Sequence, residues 1–101
     1  MISSFVDDTS RDIYNSQDTK AARRIPKEVW PSARRKLTLL HNAANTLELA
    51  KNLGLQFKPL KHDRPGFNSI RVNDIYRVIF KFENGNASEV GIENYHGKHT
   101  T

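Results

Sequence analysis

Apolar residues recur at helical spacing in the first half of the chain and at strand spacing in the second. Trp30, Ala33, Leu37, Leu40 and Ala44 are separated by steps of three and four, which lays one apolar stripe along a helix. Pro26 suits a first helical position. Pro31 lacks an amide donor, so it either kinks the first turns or marks the start of regular helix. The helical pattern continues over 46–52 with Leu47, Ala50 and Leu53 inward and Gly54 as the C-cap. Upstream, Ile2–Phe5 reads as a short strand. Asp7 or Thr9 is the expected cap of a helix over roughly 8–15.

After Gly54 the period drops to two. Leu55–Lys58 alternates until Pro59 interrupts it, and 61–66 is a polar loop containing Pro65 and Gly66. Strands are expected over 67–72, 76–82 and roughly 87–95. Tyr76, Val78, Phe80 and Phe82 share one face, with Ile70, Val72, Ser88, Val90 and Ile92 facing the same way on the neighbouring strands. Opposed residues of an antiparallel pair point the same way. Both connections are therefore expected to be three-residue loops, Asn73–Ile75 and Glu83–Gly85, because a plain two-residue Asn-Gly turn turns Val90 and Ile92 outward. This register sets Arg71 opposite Arg77 and Arg77 beside Gly91, on an open sheet face shared with Tyr95. The fold class is α+β: N-terminal helices packed on one face of an antiparallel sheet, in one domain over 1–101.

Composition narrows the function classes. The chain has 101 residues, 37% of them hydrophobic, and a net charge of +5. The positive charge sits in two blocks, 20–36 and 55–81, while both ends are acidic, which favours a polyanionic or acidic partner. No run approaches the ~18–20 apolar residues of a membrane span. The first residues lack a basic stretch followed by an apolar one, so a secretory signal is not expected and the expected location is cytoplasmic. With no cysteine, a disulfide scaffold, a thiol nucleophile and a cysteine-ligated metal are excluded. There is no glycine-rich phosphate loop, serine-nucleophile elbow, zinc-finger spacing or paired-carboxylate arrangement.

Arg71 and Arg77 fall in mid-strand. Either Glu89 or Glu93 neutralises them on a solvated face, or they form a phosphate clamp, since guanidinium presents a planar fork to phosphate oxygens. Lys58, Lys61, His62 and Arg64 are either a solvated basic loop or contacts for backbone phosphates. Arg34, Arg35 and Lys36 fall off the apolar stripe and serve solubility and RNA contact equally well. His96 is either an exposed terminal histidine or a general acid or base. His96 and His99 form an HxxH spacing, but no third ligand follows in order and Gly97 disfavours a rigid helix, so no metal or other cofactor is expected.

The segment Leu60-Lys61-His62-Asp63-Arg64-Pro65-Gly66-Phe67-Asn68-Ser69-Ile70-Arg71-Val72-Asn73-Asp74-Ile75-Tyr76-Arg77-Val78 resembles the signature of HigB-type toxins, RelE-like toxins of bacterial toxin–antitoxin modules. That signature runs roughly L-K-G-D-R-x-G-x-x-S-I-R-V-N-D-x-[WY]-R-[VI]. Val90–His96 is similar to the family ending V-x-I-x-D-Y-H, and Met1–Phe5 to its M-I-x-S-F start. The resemblance covers nearly the whole chain. It departs at three places: His62 stands for the family glycine, Asn94 for the aspartate before Tyr95, and Lys58 where some members carry a catalytic histidine. Residues Gly97–Thr101 extend past the usual terminus.

The resemblance implies a RelE-like fold of helices on an antiparallel sheet. It also implies a ribosome-dependent mRNA endonuclease that needs no metal, in which the ribose 2′-OH attacks the adjacent phosphate. His96 is then the general acid or base, and Arg77 stabilises the developing phosphorane. Lys58 supplies charge or acts as the base, Tyr95 stacks on a base or places the 2′-OH, and Asn94 orients by hydrogen bonding. Lys61, Arg64, Arg71, Arg34 and Arg35 are the expected RNA contacts. The implied partners are a HigA-like helix-turn-helix antitoxin, the ribosome and mRNA. Operator DNA is reached only through the antitoxin, and no membrane is involved. The toxin alone is expected to be a monomer, and a heterotetramer with an antitoxin dimer. A non-cleaving ribosome or RNA binder is the alternative, motivated by Asn94 and Lys58. A third reading is a structural one, in which the basic surface simply holds an acidic antitoxin segment.

Overall fold

The computed structural model describes residues 1–62 and 64–95. Asp63 and His96–Thr101 lie outside the described residues, and with them the expectations on His96, His99 and the terminal extension. The elements run α1 (Asp8–Tyr14), α2 (Trp30–Asn42), α3 (Thr46–Lys51), β1 (Lys58–Pro59), β2 (Phe67–Arg71), β3 (Tyr76–Glu83) and β4 (Asn86–Asn94). The four strands form one antiparallel sheet in sequence order. With the helices packed on one face, this is the expected α+β architecture.

Asp7 caps α1: its carboxylate accepts the Ser10 amide at 2.8 Å from an extended backbone. Ser10 in turn accepts the Ile92 amide at 2.9 Å, which ties α1 to β4. Replacing Asp7 by Ala is expected to destabilise the fold by about 1 kcal/mol, the usual worth of an N-cap side chain, read as a lower urea midpoint at unchanged slope. An unchanged midpoint would show that water satisfies the Ser10 amide equally well.

The α2 stripe buries Trp30, Ala33, Leu37 and Leu40, and Pro31 is accommodated in the first turn after a 3-10 turn at Lys27–Val29. The stripe closes at Ala43, not Ala44, because α2 ends at Asn42 and the chain leaves in an extended conformation. α3 is not a continuation of the same phase. It is capped afresh by Asn45, which accepts the Glu48 amide, while Glu48 accepts the Ala44 amide. Leu49 and Leu55 are therefore the inward residues, and Leu47, Ala50 and Leu53 are exposed. Gly54 lies within a 3-10 turn, Leu53–Leu55. The left-handed residue that ends it is Gln56, with φ 46°. This turn uses up the expected strand at Leu55–Lys58, so β1 keeps only Lys58 and Pro59, paired with Ser69 and Asn68.

Ile2–Phe5 does not form a strand. It runs parallel along the outer edge of β4 and touches it by isolated bridges, Ile2 to Ala87 and Phe5 to Val90. Between them β4 bulges at Glu89, which has φ 50° and whose amide donates to Ser4 Oγ at 2.8 Å.

That bulge also corrects the expected β3–β4 connection. The turn has two residues, Asn84 and Gly85, both at positive φ, and sets Phe82 opposite Ala87 and Lys81 opposite Ser88. Past Glu89 the register has slipped by one, so Ile79 faces Gly91, Val78 faces Ile92 and Arg77 faces Glu93. One extra residue on the bulged strand restores the facing of Val90 and Ile92, and both are buried. Ser88, expected inward, faces outward, and Arg77 lies beside Glu93 rather than Gly91. The β2–β3 connection is the expected three-residue loop: Val72 donates to the Tyr76 carbonyl at 2.9 Å, and Arg71 opposes Arg77.

The core lies between the helices and Ile70, Val72, Val78, Phe80, Ala87, Val90 and Ile92. The opposite sheet face is not the solvated surface expected. Ile79 is 1% exposed and Ser69 is fully buried. Arg64 stands over the Phe67 ring of β2 at 5.9 Å and forks onto the Glu93 carboxylate of β4 at 2.5 and 2.6 Å, so it links the two strands that flank β3, and the Val6 side chain occupies the space beside Gly91, opposite Ile79. Among the described residues no helix is long and apolar enough to cross a membrane.

Candidate active site

Alternation along β2 puts Ser69 and Arg71 on the face away from the helices, and along β3 it puts Arg77 and Ile79 there. Arg77 is the centre of this group. It is only 9% exposed, a burial that an arginine tolerates only when its donors are matched. Nε donates to Ser69 Oγ at 3.0 Å and Nη2 donates to the Gln56 carbonyl at 2.6 Å. The left-handed turn at Gln56 presents that carbonyl. Two anchors on different elements hold the guanidinium plane and leave its remaining N–H groups for a ligand.

Tyr95 follows β4 and brings its ring to 5.5 Å from the Arg77 guanidinium and 5.3 Å from Lys58 Nζ. Burial pushes the Arg77 guanidinium below its usual pKa; the Tyr95 phenol opposes this, and Arg71 across the rung adds to it. Arginine nonetheless keeps its proton at neutral pH. No carboxylate among the described residues lies within ion-pairing distance of Arg77. Glu93 is taken by Arg64 and Glu89 by Lys81, while Arg71 pairs with Asp74.

Lys58, Arg71, Arg77 and Tyr95 converge on a polar pocket of about 160 Å³, completed by Gln56, Asn73 and Asp74. Three cations around a volume this small, one of them held rigidly, suit one tetrahedral anion. Other expected residues fall elsewhere. Asn94 pairs with Tyr76, which puts it on the sheet face opposite Arg77, and it does not line the pocket. Lys61 is exposed in the loop after β1. Arg64 is held by Glu93. Arg34 and Arg35 lie on α2, where Arg34 Nε donates to the Ile13 carbonyl at 3.1 Å and so braces α1.

Ser69, Gln56, Asn73 and Asp74 were not singled out from the sequence. Ser69 was within reach, since it precedes Arg71 by two and must share its face. Gln56 acts through a backbone carbonyl, which carries no side-chain signature.

A family model described as the RelE-like toxin of type II toxin–antitoxin system HigB matches residues 3–96. Toxin HigB-1 of Vibrio cholerae serotype O1 is 37% identical over 71 residues, which are 70% of this chain and 75% of that protein. With the α+β fold described above, these matches establish that the chain belongs to the HigB-like family of RelE-like toxins of type II toxin–antitoxin systems.

Proposed function

We propose that this toxin is a ribosome-dependent mRNA endonuclease that halts translation and is neutralised by a HigA-like helix-turn-helix antitoxin. The observation that carries the reading is the convergence of Lys58, Arg71, Arg77 and Tyr95 on one anion-sized pocket. In the proposed reaction a ribose 2′-oxygen bonds to the adjacent phosphorus and the bond from phosphorus to the 5′ oxygen breaks. The 2′ proton passes to a base, and the leaving 5′ oxygen takes a proton from an acid. The products are a 2′,3′-cyclic phosphate and a 5′-hydroxyl. Arg77 stabilises the added negative charge, and Arg71 holds the phosphate from across the rung. His96 serves as general acid or base, next in sequence to the Tyr95 that reaches Arg77. Lys58 contributes charge, and Tyr95 places the nucleotide beside it.

The test is primer-extension mapping of messenger RNA after brief expression, wild type against His96→Ala, followed by purified ribosomes. New 5′ ends inside translated regions, absent in the variant, are expected. Growth arrest with intact messages would sink the nuclease reading and leave a toxin that occupies the ribosome without cutting.

A further inference from the structure

Arg71 and Arg77 meet on one rung, and their surroundings differ. Arg77 is anchored by neutral groups, Ser69 Oγ and the Gln56 carbonyl. Arg71 is closed by a carboxylate from its own strand end, that of Asp74 three residues on. The Asp74 side chain is 92% exposed, and an ion pair so exposed contributes little and exchanges readily. The loop that carries it does not depend on this contact. Asn73 Oδ1 accepts the amides of Ile75 and Tyr76 at 2.9 and 2.8 Å, which sets the loop's shape by itself. Asp74 also lines the same pocket as Arg71, Arg77 and Lys58. Carboxylate and phosphate engage a guanidinium in the same forked manner.

We propose that Asp74 is a built-in competitor of the substrate phosphate: its carboxylate accepts from Arg71 Nη2 in the empty pocket and turns into solvent when a phosphate binds. Asp74 thereby offsets the repulsion between the two arginines while the pocket is empty. It also lowers affinity for a free phosphate, so that binding depends on an RNA whose other contacts help displace it. This inference rests on the pocket being a phosphate site.

The test is a titration of the full chain with inorganic phosphate, followed by the NMR signals of the Arg71 and Arg77 Nε–H groups. Asp74→Asn keeps the side-chain shape and removes the charge, and Asp74→Ala removes the contact. Both are expected to bind phosphate about two- to fivefold more tightly than wild type, the range over which an exposed ion pair competes. In Arg71→Ala, adding Asp74→Asn is expected to give much less of that gain, since the fork in dispute is gone. Unchanged or weaker binding in both Asp74 variants, with Arg71→Ala still weakening the wild-type site, overturns the role of Asp74 alone. Phosphate binding that survives both Arg71→Ala and Arg77→Ala overturns the phosphate pocket, and the Asp74 inference with it.

Discussion

Arg77→Ala is expected to slow mRNA cleavage by ~10²-fold or more, the usual cost of removing one preorganised donor from a developing oxyanion. The size of the effect follows from how the side chain is held. At 9% exposure its charge acts through a medium poorer in water than the surface, so each contact with a phosphate oxygen counts for more. Ser69 and Gln56 fix the guanidinium before substrate arrives, so little reorganisation is left to the reaction. Arg77→Lys keeps the charge and loses the fork. A single ammonium cannot span Ser69 Oγ and the Gln56 carbonyl and still grip a phosphate by two bonds, so it is expected to recover only part of the loss. The measurement is single-turnover cleavage on purified, mRNA-programmed ribosomes, with thermal unfolding alongside because Ser69 loses its buried partner. A wild-type rate in a folded Arg77→Ala protein would remove Arg77 from the chemistry.

The rung that carries this prediction was legible in the sequence because the face assignment left one register open to it. Alternation along 67–72 and 76–82 fixed which residues share a face. The rule that opposed residues point the same way then required the three-residue loop Asn73–Ile75, which the structure has, with Asn73 Oδ1 accepting the amides of Ile75 and Tyr76. The β3–β4 register was misread because two solutions keep Val90 and Ile92 inward: a longer loop, or a tight turn followed by a bulge. Periodicity is blind to that choice. Asn84-Gly85 favoured the tight turn, and Ala87 next to polar Ser88 favoured Ala87 as the inward residue. The bulge at Glu89 was not legible, because a glutamate at positive φ defies local preference and is held by Ser4, remote in sequence.

The candidate site divides along the same line. Its charged members stood out as residue types in mid-strand, whereas the partner of each arginine depends on register and on loops. Glu93 was a candidate to neutralise Arg71 or Arg77, and the slip at Glu89 does place it opposite Arg77. Arg64, reaching over from the loop before β2, takes it instead. Arg77 is thereby left to Ser69, Gln56 and a ligand, while the Arg64–Glu93 pair joins the loop before β2 to β4. The family signature specifies Arg64, Ser69, Arg71 and Arg77, but it does not state which of its arginines is structural and which faces the pocket.

Phe80→Ala is expected to cost about 3–5 kcal/mol, the loss typical of a buried aromatic cut back to a methyl group. Phe80 is 0% exposed, in the middle of β3, with the Phe57 ring at 6.5 Å and the Phe82 ring edge-on at 6.4 Å. β3 has neighbours on both sides, so the backbone cannot easily close around the hole, and the cavity adds to the lost transfer energy. Against the roughly 5–15 kcal/mol that holds an ordinary domain together, this is a large fraction. Leu53→Ala provides the contrast. A helical stripe running on from α2 turns Leu53 inward, but it is 84% exposed, and its loss is expected within about 0.5 kcal/mol. Urea unfolding of both variants, read as a shift in midpoint at constant slope, separates the two arrangements. Comparable losses in both would mean that α3 packs in the phase of α2, with Leu53 in the core. A small loss at Phe80 alone would mean that the helices cover the wrong face of the sheet, and the pocket of Arg77 would lose the rigid backing on which the proposed chemistry depends.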